Sequence, residues 1–454
     1  MSVINAAIKS PWRKKGCSPG AQVRRMKFMS RTTFALIATF LLAFIFSGQA
    51  NTAVLLDSLV AEALQNNPQL KAARHQASAA QSKVGQVTSW DAPQIGLEFF
   101  QTPVQSFPNP VKDQMETDFF IQQMFPFPGK LSSMGRAAEN NANMMEQSYR
   151  ALERKIIQEL KSAYYELYLV QRKIAINQEN QDLMRSFVDI ARQQYEVGMG
   201  KQADILRAQT ELSALINEGI NLQQEIKQVE AMINTILSRP TDASFSAIAE
   251  IEAAVPQWTF GQISTIALEN RPELRAMGYN IEMYRAEVSA SKREYYPDLM
   301  GRVMYKDMAM TKDDFWSAML GVNIPLAFWS KGKYTNKVQE NEINVRKAEE
   351  DYSNMKNMVL FEVQNALVKV QTNKNSVDLI KTTIIPQAEQ TLQSTIAAYQ
   401  TGKTEFLMLI DAYRMLLMSE LDYHMAVMNF MVSQALLEQA AGLSMSEIEE
   451  KTNF

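Results

Sequence analysis

The side chains that usually carry chemistry are scarce in this chain. Its 454 residues include two histidines, His75 and His424, and one cysteine, Cys17. A histidine-based metal centre or a nucleophile–histidine–acid triad has almost no material here. Gly402-Lys403-Thr404 looks like the end of a phosphate-binding loop, but that loop needs glycine at position 397, which is Ala397, and a strand before it. It reads as a turn between helices. The 27 methionines invite a soft-metal reading such as Cu(I); at helical spacing they read more simply as flexible packing side chains. No pair of acids is distinctively placed for acid–base catalysis. The expectation is a protein that is not an enzyme, with no cofactor and no resident metal.

Charge excludes another class. Lys and Arg number 46 against 49 Asp and Glu, a formal −3. Residues 1–50 carry eight of those bases and no acid, so the remainder stands at −11 and no nucleic-acid partner is expected. The apolar run Phe34–Phe46, preceded by Lys27 and Arg31 and followed by Ser47-Gly48-Gln49-Ala50, reads as a signal peptide cut after Ala50. The long polar stretch before it leaves Met26 and Met29 as alternative translation starts. Cys17 precedes the run, so the exported chain is expected to lack disulfides, thiol nucleophiles and thiolate sites. After Ala50 no window approaches the ~20 apolar residues of a transmembrane helix.

What positions the remaining polar residues is a duplication. Ala63-Leu64-Gln65-Asn66-Asn67-Pro68-Gln69-Leu70 matches Ala267-Leu268-Glu269-Asn270-Arg271-Pro272-Glu273-Leu274, and the same displacement of 204 carries Pro93, Tyr195, Gly198 and Ala208 onto Pro297, Tyr399, Gly402 and Ala412. The units are placed at 51–253 and 254–445, with 446–454 as a tail. Each reads as a helix broken at Asn-x-Pro or its equivalent (55–88, 260–293), two extended segments, and a long helical hairpin (131–238, 333–441). From Arg136 to Val197 there is neither Gly nor Pro, enough for a helix of ~90 Å, and Pro386 is the one kink expected in the second hairpin. Ile205, Ala208, Leu212, Leu215, Gly219, Leu222, Ile226, Val229, Ile233 and Ile236 keep coiled-coil spacing, as do Leu409, Ala412, Leu416, Ser419, Tyr423, Ala426, Phe430, Ser433, Leu437 and Ala440. Met408, Met415, Met418, Met425 and Met428 give the last helix a second apolar edge, which predicts neighbours on both sides, as in a closed ring of helices.

Four segments break the helical pattern: 93–104, 114–126, 298–309 and 313–326. Apolar and polar residues alternate along them, as in Ile95, Leu97 and Phe99 against Gln94, Gly96 and Glu98, and aromatics gather near their ends. This is the weak signature of membrane β-strands, with an ordinary half-buried sheet as the alternative. Four strands cannot close a barrel and an open edge is not tolerated in lipid, so membrane strands require oligomerisation; three copies would supply twelve.

The Asn-x-Pro motif and its copy, Pro126-Phe127-Pro128-Gly129-Lys130, and the turns Tyr195-Glu196-Val197-Gly198…Asp204-Ile205-Leu206-Arg207-Ala208-Gln209 and Tyr399-Gln400-Thr401-Gly402…Leu409-Ile410-Asp411-Ala412 together resemble the TolC family of outer-membrane efflux channels over residues 54–445. The resemblance implies a mainly α fold with a small transmembrane β part, forming a homotrimer with a 12-stranded barrel and a long α-helical tunnel in the periplasm of a Gram-negative bacterium. It implies a passive exit duct in outer-membrane lipid, serving a tripartite efflux or type I secretion system. Partners would be a periplasmic adaptor (membrane fusion) protein and an inner-membrane pump of resistance-nodulation-division or ABC type. The tip turns, with Gly198, Gly200, Gly402, Lys403 and Thr404, would dock the adaptor, and Asp204, Tyr399 and Asp411 would constrict the entrance and favour cations. Where family members often carry a further Asp, this chain has Met408. Asp204 and Asp411 equally suit the first turn of a helix, where the dipole favours an acid. The rival class is a periplasmic or secreted coiled-coil scaffold.

Overall fold

The computed structural model describes residues 51–111, 113–251, 258–308, 313–325 and 327–452, with backbone alone at 51–55. The segment read as a signal peptide lies outside the described residues.

Two helices, α1 (Asn51–Asn66) and α2 (Pro68–Thr88), are separated because Pro68 has no N–H to continue α1 and suits the first position of α2. Asn67 caps α2, its side-chain oxygen accepting from Gln69 N at 2.9 Å and Leu70 N at 3.3 Å. The copy, α5 (Phe260–Asn270) and α6 (Pro272–Arg293), breaks at Pro272 with Arg271 in place of asparagine. Both junction side chains share a second task. Asn67 Nδ2 donates to the Ile236 carbonyl at 3.0 Å and Arg271 Nη1 donates to the Ala440 carbonyl at 3.1 Å. Positions 236 and 440 are repeat equivalents in the last turn of each hairpin, where carbonyls lack helical partners. The duplicated motif thus fastens the end of each hairpin.

The strands β1 (Gln94–Phe100), β2 (Glu116–Phe125), β3 (Asp298–Met308) and β4 (Asp314–Asn323) form one antiparallel sheet in chain order. β1 is shorter than 93–104 because Pro103 leads into a 3₁₀ turn at Val104–Ser106. The register places Ile95, Ile121, Val303 and Ala318 across from one another, and likewise Leu97, Phe119, Tyr305 and Trp316 in neighbouring pairs. These side chains share a face that nothing among the described residues covers: Ile95 is 80% exposed and Leu320 90%. The opposite face carries Glu98, Asp118, Arg302 and Lys306, and Lys306 bridges Glu116 and Asp118.

From the sheet, α3 (Lys130–Glu196) runs 67 residues, ~100 Å of helix. Gly135 lies inside it where α2 and α3 cross closely: a Cβ there would stand 2.5 Å from Thr88 Cγ2. α4 (Gln202–Leu237) returns alongside it. In the second unit α7 (Lys331–Leu379), a π-turn (Ile380–Ile384) and α8 (Ile385–Gln400) run out, and α9 (Phe406–Ala441) returns. The break expected at Pro386 is this π-turn, with Ile385 N donating to Ile380 O where the helical ladder slips by one residue. α9 starts at Phe406, since Gly402 has φ +68° and Lys403–Glu405 complete the turn. The tail reads differently in three dimensions: Met445–Thr452 is α10.

Near the sheet α2, α3, α6 and α7 touch in that order; beyond, the neighbours are α4, α3, α9 and α7–α8. The helices α3, α7 and α9 therefore change partners along their length, while α4 packs on α3. Of the α9 seam, every residue from Leu409 to Ala440 is buried except Leu416, which is half-buried. The apolar core is in two parts, one around Tyr164, Tyr168 and Phe430, the other around Phe187, Leu409 and Tyr413. Polar groups lie at the division. Asn177 Nδ2 donates to the Leu215 carbonyl at 3.0 Å, and Gly219 makes room: its Cβ would meet Asn177 Oδ1 at 3.0 Å.

Candidate functional site

The free ends of the two hairpins carry the candidate residues. Each turn closes in the same way. Gly198 N donates to Tyr195 O and Gly402 N to Tyr399 O, both at 3.0 Å, and both glycines have positive φ, +76° and +68°. A side chain is strained in that region, so the paired glycines are required by the turn. Gly200 N donates to Gln194 O at 2.8 Å, and Lys403 N to Ala398 O at 2.9 Å. Lys403 projects into solvent, and Thr404 is half-buried.

The turns sit side by side. Gln194 Nε2 donates to the Gln400 carbonyl at 3.0 Å, Lys201 pairs with Glu405 at 3.5 Å, and a Cβ on Gly402 would meet Met199 Cε at 3.2 Å. Between them lies a cleft of about 430 Å³ lined in part by Asp204, Arg207, Tyr399 and Phe406. Asp204 and Tyr399, from different hairpins, are brought together here. Asp204 lies in the first turn of α4, its carboxylate accepting from Lys201 N at 3.4 Å. Tyr399 is buried, its ring tilted 59° to that of Phe406 at 5.4 Å between centroids, and its hydroxyl makes no hydrogen bond of normal geometry. Burial pushes that hydroxyl up to about 12, and the Asp204 carboxylate adds to the shift. It is a neutral phenol facing an acid.

Asp411 is placed otherwise. The helix-dipole alternative fits Asp204 but not Asp411, which lies beyond the first turn of α9 on its exposed face. Beside it Arg414 makes a bidentate bridge to Glu211 of α4, Nε to Oε1 at 3.0 Å and Nη2 to Oε2 at 2.7 Å. The Glu211 carboxylate holds the guanidinium pKa above its ordinary value. Sequence reasoning missed Glu211–Arg414 and Lys201–Glu405. A signal existed for the latter: Lys201 and Glu405 are repeat equivalents 204 apart with opposite charge, and side-by-side copies bring equivalents together.

The second apolar edge of α9 is divided within the protomer. Met428 packs on the core, whereas Met408, Met415, Met418 and Met425 are exposed, with no second neighbour in the protomer. Among the described residues no group of three or more His, Cys, Asp or Glu is arranged to hold a metal ion, and no helix is long and apolar enough to cross a membrane.

Comparison with known proteins agrees with this architecture. The chain is similar to nodulation protein T of Rhizobium leguminosarum bv. trifolii, 23% identical over 301 residues, 63% of this chain and 62% of that protein, so it spans less than two thirds of that relative's length. It is similar to outer membrane protein TolC of Vibrio cholerae, 20% identical over 396 residues, covering 84% and 89%. Its fold matches the crystal structure of the outer membrane protein VceC from Vibrio cholerae with a TM-score of 0.73 at 18% identity, covering 86% of this chain and 97% of that one. The outer membrane efflux protein family matches residues 59–239 and 263–443, one span in each repeat. The chain therefore belongs to the outer membrane efflux protein family, a family of channels and not of enzymes, placed in the Gram-negative outer membrane and reaching into the periplasm.

Proposed function

We propose that three copies of this chain assemble into a passive outer-membrane duct, the exit of a tripartite efflux or secretion system. The sheet carries this reading. Among the described residues its outer strands β1 and β4 have unpaired edges and its apolar face is uncovered, and backbone groups in lipid must all be paired. Two copies would give eight strands, whose interior side chains fill; the polar inner face with Glu98, Arg302 and Lys306 suits the water-filled lumen of twelve. The helices continue the lumen as a periplasmic tunnel. At its end the turns holding Gly198, Gly200, Gly402, Lys403 and Thr404 present exposed Val197 and Met199 to a periplasmic adaptor, itself bound to an inner-membrane pump that chooses the cargo.

Asp204, Tyr399 and Asp411 form the entrance constriction. Threefold symmetry repeats each acid around the axis, attracting cations and repelling its own copies. The Asp204–Tyr399 contact joins the two hairpins of one copy, so the closed entrance depends on their relative position. The test is to extract the protein from membranes, measure its mass in detergent, and record single channels in planar bilayers. A detergent-dependent trimer that conducts is expected; release as a soluble protein by osmotic shock would refute the duct. Unchanged cation selectivity in both Asp204→Ala and Asp411→Ala would remove the gate assignment.

A further inference from the structure

Where strands give way to helices, the two repeats differ. Within the protomer the end of β2 is sealed against the start of β3. Phe127 stacks on Tyr296 with 4.4 Å between centroids and 13° between planes. Lys130 pairs with Asp298 at 2.7 Å, and Arg293 Nη1 donates to the Pro128 carbonyl at 3.1 Å. In a closed ring of copies the duplication repeats this junction between the end of β4 and the start of the next copy's β1, with other residues. Phe125-Pro126-Phe127-Pro128-Gly129-Lys130 corresponds to Phe328-Trp329-Ser330-Lys331-Gly332-Lys333, and Arg293, Tyr296 and Asp298 correspond to Ser89, Ala92 and Gln94. The stack becomes Ser330 against Ala92, and the ion pair becomes Lys333 against a neutral amide. Asp91, the acid nearest Gln94 in sequence, corresponds to Tyr295, which turns to Tyr334 and Thr335 of its own repeat. Lys331 and Lys333 are exposed, and neither forms an ion pair among the described residues. Phe328 is 87% exposed and Trp329 77%, following the exposed Leu320, Val322 and Ile324 of the uncovered apolar face.

We propose, on the threefold ring of strands read above, that each seam between copies holds an anionic phospholipid at the periplasmic edge of the barrel. Charge and size decide among the occupants. The next copy brings only small or neutral side chains to the seam, so it neither covers the two aromatics nor pairs the two lysines. A free anion would pair the lysines and leave Phe328 and Trp329 in water. A phospholipid without net charge would cover the aromatics and leave the lysines uncompensated. An anionic phospholipid does both: its headgroup meets Lys331 and Lys333, and its acyl chains lie along Trp329, Phe328 and the apolar face beyond. Tryptophan favours this depth of a bilayer, and basic side chains beside it attract anionic headgroups. The lipid thus takes the place that the Phe127–Tyr296 stack and the Lys130–Asp298 pair fill within each copy.

The test uses the full-length protein extracted in a neutral detergent, titrated with dioleoylphosphatidylglycerol or dioleoylphosphatidylcholine and read by native mass spectrometry. Phosphatidylglycerol is expected to saturate at three lipids per trimer, at concentrations where phosphatidylcholine is not retained. Lys331→Gln/Lys333→Gln should raise the half-saturating concentration about fivefold for each charge lost, so about 25-fold together. Gln94→Asp, which gives Lys333 the kind of partner Lys130 has, should raise it about fivefold. Trp329→Ala should weaken retention of phosphatidylglycerol with both lysines in place. Lys356→Gln, at an exposed lysine further along α7, should change nothing. Equal retention of the two lipids, uptake that does not saturate, or a double lysine variant within twofold of wild type overturns the seam lipid while leaving the duct standing. A wild-type protein that is a monomer in detergent overturns the ring and the seam lipid together.

Discussion

Consider loss of the Glu211–Arg414 bridge, the bidentate tie between α4 and α9. Both of its hydrogen bonds have good geometry, at 3.0 and 2.7 Å, but the arginine side chain is 53% exposed and the glutamate 20%. Exposed pairs contribute about 0.2–1 kcal/mol, and bidentate charge-assisted geometry belongs at the upper end, so about 1 kcal/mol per copy. Opening of the proposed threefold entrance would break three such ties. If the copies open together the sum is about 3 kcal/mol, on the order of a hundredfold in the closed-to-open ratio; if each hairpin pair moves alone the change is about fivefold per copy. Glu211→Gln should therefore raise the open fraction in single-channel records, Arg414→Gln should do the same, and the double variant should do little more than either, because the two act through one contact. Higher salt should shrink the difference. The reversed pair Glu211→Arg/Arg414→Glu should restore closure in part. An open fraction within twofold of wild type for both single variants would show that the bridge does not hold the entrance shut, and that the Asp204–Tyr399 contact acts without it.

Other consequences follow from the same geometry. If the uncovered apolar face of the sheet meets lipid as proposed, Leu320→Arg on that face of β4 should cost about 2–4 kcal/mol in barrel assembly, seen as loss of the protein from the membrane fraction, whereas Met319→Gln on the opposite face should be tolerated. Gly219→Leu should displace Asn177 from the Leu215 carbonyl and lower stability by about 1–3 kcal/mol in thermal melts; Gly278→Ala, with nothing within 4 Å of its Cβ, should not destabilise. Burial, with a contribution from Arg172, holds His424 down to about 4. The folded state thus favours the neutral ring, and the stability this contributes is complete above the ordinary histidine value of ~6.5 and is lost as pH falls toward 4. Allowing for the ring's partial exposure, melting at pH 5 should show a deficit of about 1 kcal/mol per copy relative to pH 7, absent in His424→Gln.

Much of the molecule was legible along the chain because its signals are local. Pro68 and Pro272 end helices wherever they stand, Gly198 and Gly402 supply the positive φ each turn needs, and side-chain alternation marks the strands whatever lies beside them. The duplication was legible as well, and with it the pairing of hairpins. Boundaries were less so: β1 stops at Phe100, well short of 104, and Met445–Thr452 is a helix where a tail was expected.

The candidate site divides along the same line. Its residue types and turn positions could be named from motif order, but a period of 3.5 states that a stripe exists and not what covers it. Met428 and Met425 are three residues apart on one helix, yet one packs on the core and the other is exposed. Likewise Asp204 and Asp411 looked interchangeable as turn-proximal acids; the fold puts the first against the buried Tyr399 hydroxyl and the second on an open face. The sequence by itself determined the elements, their duplication and their turns, because backbone sterics and periodicity act over a few residues. Tertiary structure alone decided which charges meet, Lys201 with Glu405 and Glu211 with Arg414, and which helix face stays uncovered, because these depend on how two hairpins of ~50 Å or more lie against each other.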